Sequence, residues 1–306
     1  MNHELVAWAK QRGYRVGFGS LEILNQVKEK LERRKSFGEI QPEFASKHFS
    51  SFTYLEGCPV NNPGSIIIIA MPRPAHTLDF EFRGKRKQFI FPPTYVKYRK
   101  VFDDVLSDFK QSFEREKWQA SLISAPLKSL AVHTGLAVYG KNNVTYISDF
   151  GSYFQLVGIV TNIPLQINDV QNRNEVMAER CKTCQACLQA CPFNAISRER
   201  FLLFAEKCYV SYSESAEPLP SGIKAPSPDC LVGCLKCQQI CPMNKGKLKY
   251  ENTGVSFSAE ESEVIFYNQT SSPLWKKIRE KMEILCLTED YEIMLRNLRY
   301  LLAERA

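Results

Sequence analysis

The chain has 306 residues, 44% of them hydrophobic, and carries a net charge of +7. That length can bury one large core or two modest ones, and the charge is compatible with a polyanionic partner without demanding one. The longest apolar run, Ile66 to Met71 ahead of Pro72, is far too short to cross a bilayer. The first residues, MNHELVAWAKQRGYRV, are mixed in charge and lack the apolar core of a secretory leader, so the expectation is a soluble cytoplasmic protein without a membrane partner.

In chain order, the spacing predicts a helix over 4–11, a short strand over 14–18, and a helix opening at Ser20. There Leu21, Leu24, Val27 and Leu31 recur at helical spacing, with Ile23 beside them. Lys28, Lys30, Arg33, Arg34 and Lys35 fall at its end, where cations suit the helix dipole. The apolar run predicts a buried strand over 65–71. Between Thr77 and Phe91, LDFEF and KQFIF alternate around RGKR, a hairpin signature whose simplest reading is a surface hairpin.

An amphipathic helix follows over 98–116, with Val101, Val105, Phe109 and Phe113 among its core stripe. A strand over 118–123 and a helix over 127–133 ending at Gly135 come next. Alternation over 144–163 suggests a strand pair. Residues 1–164 therefore predict an α+β domain with α/β character.

Residues 165–250 are dominated by cysteine. Cys181, Cys184, Cys187 and Cys191 before Pro192 read C-x2-C-x2-C-x3-C-P, the run in which three thiolates hold one [4Fe–4S] cube and the fourth crosses to another. Cys234, Cys237 and Cys241 before Pro242 repeat the tail of that run fifty residues on, down to Asn194 and Asn244. Crossed ligation then places Cys181, Cys184, Cys187 and Cys241 on one cluster, and Cys191, Cys234 and Cys237 on the second. Leu231 stands where the repeat would supply the missing ligand, so Cys208 or Cys230 must complete the second set.

Paired zinc knuckles are the alternative metal chemistry, but they use long spacers where this run takes consecutive C-x2-C steps. A disulfide framework is disfavoured because a chain of this size needs no staples. The linker 216–228 holds four prolines. Residues 251–306 predict a C-terminal helical segment, with Ser272 as one start and Tyr291, Leu295, Leu298, Leu301 and Leu302 as a packing face. His3, His48, His76 and His133 are scattered away from ligand spacing, and Cys58 and Cys286 read as core thiols.

Several stretches resemble the epoxyqueuosine reductase family. Gly135-Leu136-Ala137-Val138-Tyr139-Gly140-Lys141-Asn142 is similar to its G-x-G-W-x-G-K-N, although the family's tryptophan is replaced in the Val138-Tyr139 region. Phe150-Gly151-Ser152-Tyr153-Phe154 with Val157-Gly158-Ile159-Val160-Thr161-Asn162 is similar to F-G-S-x-x-x-L-G-E-x-x-T-D. Lys207-Cys208-Tyr209-Val210-Ser211-Tyr212 resembles R-C-I-S-Y-L, and Gly233-Cys234 through Cys241-Pro242 resembles G-C-D-x-C-Q-x-V-C-P. The match runs roughly from Ser65 to Asn244.

The resemblance implies Cys208 as the eighth cluster ligand. It also implies a cobalamin in the preceding domain, as in the related reductive dehalogenases, lying against Tyr139, Gly140, Lys141, Asn142, Asn143, Gly151 and Ser152. Glycine permits such an approach to a flat macrocycle. In the family an aspartate in V-D-T-A-P is implied to protonate the substrate, whereas Leu122-Ile123-Ser124-Ala125-Pro126 has isoleucine there. No Asp or Glu lies between Lys117 and Asp149. Tyr139 beside Lys141 is the candidate replacement acid, with packing as its other role.

The functional expectation is a corrinoid-dependent reductase. A low-potential donor of the ferredoxin or flavodoxin type would feed two [4Fe–4S] clusters, and tRNA would be a partner. The alternative is an electron-transfer protein or activase that reduces the corrinoid of a partner protein.

Overall fold

The computed structural model describes residues 1–113, 117–167, 176–227 and 229–303. In chain order the elements begin with α1 (Asn2–Gln11), β1 (Arg15–Ser20), α2 (Glu22–Ser36) and α3 (Pro42–Phe49), then β2 (Ser65–Pro72), β3 (Ala75–Phe82) and β4 (Lys85–Phe91). They continue with α4 (Tyr98–Phe113), β5 (Ala120–Leu122), α5 (Leu127–His133), β6 (Val138–Tyr139), β7 (Thr145–Tyr146) and β8 (Phe154–Thr161). Residues 114–116, expected to continue α4, lie outside the described residues.

Four strands form an antiparallel sheet in the order β1-β2-β8-β5. Successive side chains of a strand face opposite sides, and both sides of β2 are apolar. Ile66, Ile68 and Ala70 join Leu24, Val27 and Leu130 of α2 and α5, while Ile67 and Ile69 join Leu5, Trp8, Val105 and Phe109 of α1 and α4. The result is a sheet between two helical layers, the α/β character expected of this region. Gly158 of β8 lets α5 close in, since a Cβ there would meet Leu127 Cδ2 at 2.6 Å and Ile123 Cγ1 at 2.7 Å.

The strand pair expected over 144–163 resolves differently. β7 pairs with β6, β8 pairs with β2 and β5, and the glycine turn between β7 and β8 points toward the cysteine segment. That segment contributes only short helices: α6 (Ala186–Ala190), α7 (Tyr209–Ser213) and α8 (Lys236–Gln239).

The chain then returns as β9 (Tyr250–Phe257), α9 (Ala259–Phe266), α10 (Trp275–Leu285) and α11 (Tyr291–Ala303). β9 lies parallel to β3 in a sheet ordered β4-β3-β9. The β3–β4 hairpin is consequently no surface feature. Leu78, Phe80, Phe89 and Phe91 pack with Phe257, Ile278, Met282 and Leu295 into one core. The capping serine is also earlier than expected: Ser258 and Glu261 form a capping box at the start of α9, whereas Ser272 lies ahead of α10. No described helix is long and apolar enough to cross a membrane.

Candidate functional site

Cys181, Cys184, Cys187 and Cys241 line one pocket together with Lys141, Asn142 and Tyr146. Helices α6 and α8 bring the two cysteine runs side by side. Burial pushes the Cys187 thiol up to about 11, and neighbouring Cys181, Cys241 and Cys184 add to the shift. Burial raises Cys181 as well, and buried thiols of this kind resist ionisation unless a cation shares the cage, which is what a metal cluster supplies. The backbone N–H of Lys141 donates to Cys181, an amide contact of the kind that tunes cluster potential.

The other four cysteines form a second neighbourhood. Cys208 is pushed up to about 11 by burial, with Cys234 and Cys191 as its nearest like charges, and the Val210 amide donates to its sulfur. The Lys236 amide hydrogen-bonds Cys234. Burial carries Cys237 to about 12, beside Cys234 and Cys208. Cys230 stands apart. It is 3% exposed, its thiol donates to the Val232 carbonyl at 3.2 Å, and burial raises its pKa. A thiol that spends its proton on a carbonyl is a core residue.

The stretch named for a corrinoid is committed elsewhere. Tyr139 is 8% exposed, packs edge-on against Phe201 at 5.1 Å, and exchanges backbone hydrogen bonds with Val176 and Ala178. These contacts fit the packing role weighed for it above. A Cβ on Gly140 would overlap Tyr146 and Asn142, so that glycine serves an internal contact. Asn143, at φ 56, ties the following loop by donating to Phe201 O at 2.8 Å.

Asn142 is 3% exposed. It donates to the Tyr146 hydroxyl at 3.0 Å and hydrogen-bonds Cys237, while Tyr146 hydrogen-bonds Cys241. One amide and one phenol therefore link the two cysteine sets.

The Gly151-Ser152 turn docks on the second run. Gly151 sits at φ 61 against Asn244, where a Cβ would overlap the amide oxygen. Asn244 accepts from the Ser152 amide and donates to the Ser152 hydroxyl, both at 2.8 Å, and also donates to Gln238 O at 2.8 Å. Sequence reading missed this role for Asn244, whose only signal was the repeated Cys-Pro-x-Asn.

A group of polar side chains beside the second set was also missed. Lys128 of α5 is exposed; surrounding protein lowers its pKa, against the opposing pull of Glu214, Cys208 and Cys237. Glu214, half-buried at the end of α7, accepts a hydrogen bond from the Tyr95 hydroxyl. Burial raises its pKa despite that bond and despite Lys128.

Residues 180–244 match the 4Fe–4S double cluster binding domain. The epoxyqueuosine reductase of Bacillus subtilis is 26% identical over 261 residues, 81% of this chain and 64% of that protein. The Synechocystis enzyme of the same name is 38% identical over 120 residues, 39% of each chain. The chain thus spans less than two thirds of these curated relatives.

Among solved structures, the Bacillus subtilis epoxyqueuosine reductase, described with its catalytic aspartate loop swung out of the active site, matches at TM-score 0.68 and 22% identity. That match covers 99% of this chain and 81% of that one. An epoxyqueuosine reductase bound to an epoxyqueuosine-modified tRNA stem loop matches at 0.57 and 24%, over 80% and 66% of the two chains. In sequence and in fold the chain is similar to the epoxyqueuosine reductases, and it carries a double [4Fe–4S] cluster domain.

Proposed function

We propose that the chain is a reductase of the epoxyqueuosine type. Cys181, Cys184, Cys187 and Cys241 hold one [4Fe–4S] cluster, and Cys191, Cys208, Cys234 and Cys237 hold the other. The observation that carries this reading is the Asn142–Tyr146 link, which touches Cys237 of one set and Cys241 of the other. Two centres joined by a shared hydrogen-bonded wall suit stepwise passage of single electrons.

Entry fits the first centre. Exposed Arg180, Lys182 and Lys245 lie close to its ligands along the chain and suit an acidic low-potential donor of the ferredoxin or flavodoxin kind. Exit fits the second, whose Cys208 and Cys237 act on Lys128 together with Glu214.

A corrinoid, implied by the family resemblance, supplies a low-potential cobalt centre when bound. Tyr139 to Asn143 and the Gly151-Ser152 turn, named for it by the resemblance, also make internal contacts, and Lys128, Tyr95 and Tyr98 beside the second cysteine set are the further residues that would border it. Their polar ends suit the amide-rich edge of such a macrocycle. The substrate proposed is an epoxide-bearing nucleoside in a tRNA stem loop. Exposed Lys28, Arg33 and Lys47 offer contacts to its phosphates.

The test is anaerobic reconstitution of the full chain with iron, sulfide and cobalamin, followed by reductant and an epoxyqueuosine-containing stem loop. Corrinoid-dependent conversion of the epoxide to the alkene is expected. Iron-loaded protein that leaves the stem loop unchanged, while reducing a corrinoid bound to another protein, would replace this reading with the activase one.

A further inference from the structure

The segment where the family places its acidic residue offers none. Ile123 is 6% exposed, belongs to the core beneath α5, and donates its amide to Gly158 O at 3.0 Å. A reductive C–O cleavage still needs protons. We propose that Glu214, hydrogen-bonded by Tyr95, is the proton-donating group beside the second cysteine set; this rests on the reductase reading above.

Glu214 is held in place from both sides. Its own N–H bonds Val210 O at 3.0 Å. Of the flanking carbonyls, Ser213 O accepts from Asn297 at 2.9 Å, and Tyr212 O and Ser215 O both accept from Arg296. The Ser213 hydroxyl accepts from the Gly233 amide at 2.9 Å, fixing the distance to the Cys234 run. Tyr95 is equally constrained: its hydroxyl lies 2.6 Å from where a Cβ on Gly233 would stand, so only glycine leaves it room.

Tyr95 sits on a turn in which Thr94 has φ 82 and Lys97 φ 57. For a β-branched residue such as Thr94 this is an unfavourable backbone, costing about 1–3 kcal/mol, and strain of that kind concentrates at functional sites.

The charged and titratable groups facing Glu214 come from several elements. They are Lys128 of α5, Lys47 of α3, Tyr95 and Tyr98 from the β4–α4 connection and α4, Cys208 at the head of α7, and Asp290 ahead of α11. Burial raises the Glu214 pKa against the Tyr95 hydrogen bond and the two lysines. In the overall step an epoxide takes up two electrons and two protons, losing its oxygen as water and leaving an alkene. The electrons arrive singly from the external low-potential donor through the clusters. Glu214 gives one proton to the departing oxygen, with Tyr95 orienting the carboxyl, and is reprotonated from solvent water, its side chain being only half-buried. The second proton also comes from that water.

The experiment compares wild type, Glu214→Gln, Glu214→Asp and Tyr95→Phe, each fully loaded with iron and cobalamin, on the modified stem loop. Glu214→Gln should bind the stem loop within about two-fold of wild type, keep its iron, and lose about 100-fold or more in kcat. Glu214→Asp should recover part of that loss, and Tyr95→Phe should shift the alkaline limb of the pH profile. Unchanged kcat in Glu214→Gln with an active wild type would overturn the proposal and leave the reductase reading standing.

If wild type itself is inactive, that reading falls. Infrared difference spectroscopy on the loaded chain then decides whether Glu214 holds a proton. A carboxylic C=O band at neutral pH that disappears in Glu214→Gln supports a proton-holding pair, and an ionised carboxylate overturns it.

Discussion

The central sheet and the cysteine segment are stabilised by different means. In β2 five consecutive residues, Ile66 to Ala70, are fully buried, and transfer of their apolar surface from water is reason enough to fold. Over 179–213 the buried residues are Cys181, Ala195, Ile196, Tyr209 and Ser213, and α6 buries none. That segment has no apolar core of its own. Its geometry depends on whatever the sulfurs bind and on docking against the domain before it, so metal binding free energy is folding free energy there.

Removing iron should break the two regions apart most visibly. Chelation under reducing conditions is expected to abolish amide-exchange protection over 179–213 and 234–247 while β2 and β8 keep theirs. Equal loss in both regions would show that the sheet also leans on the clusters.

A sharper version exchanges single thiols. Cys208→Ser should lower bound iron from about eight to about four per chain, the content of one cube. Cys230→Ser should leave iron unchanged, because that thiol already bonds Val232 O. The reverse pattern would transfer the eighth ligand to Cys230.

The same contrast explains what could be read from the sequence. Alternation and apolar runs made β2, β8 and the β3–β4 hairpin legible, since burial leaves a periodic trace. β9 left little trace: Tyr250, Glu251 and Asn252 are exposed, and only Val255 and Phe257 face the core. Without β9 nothing in the sequence indicated that the hairpin is covered by α9 to α11. The double-cluster domain was legible from cysteine spacing, whereas the choice of Cys208 over Cys230 needed the family resemblance. The Glu214–Tyr95–Lys128 group was not legible, because its members come from distant segments and none has a motif.

Docking between the regions can be loosened without touching a sulfur. Asn244→Ala removes three hydrogen bonds and leaves the buried Ser152 amide unpaired, at a cost of about 1–3 kcal/mol. Exchange at Ser152 should quicken while iron content holds. If iron is lost as well, the turn is part of the cage and not merely a support for it.

The smallest expected effect lies in the third core, where the charge pattern can be tested by pH. Ser258→Ala removes the side-chain cap of α9, worth about 1 kcal/mol, and should lower the denaturation midpoint of the hairpin and C-terminal helices with the clusters unaffected. Its partner Glu261 is 1% exposed. Burial alone would raise its pKa, but hydrogen bonds from Lys281, the Ser258 amide and Lys277 outweigh it and hold the carboxyl below the usual range. A depressed carboxylate contributes stability in full above its unfolded pKa, about 4.3, and loses it as pH falls through the folded value. Wild type and Glu261→Gln should therefore differ at neutral pH and converge in acid. A gap that persists in acid would assign Glu261 to packing, leaving the β9–α9 corner as apolar in origin as the central sheet.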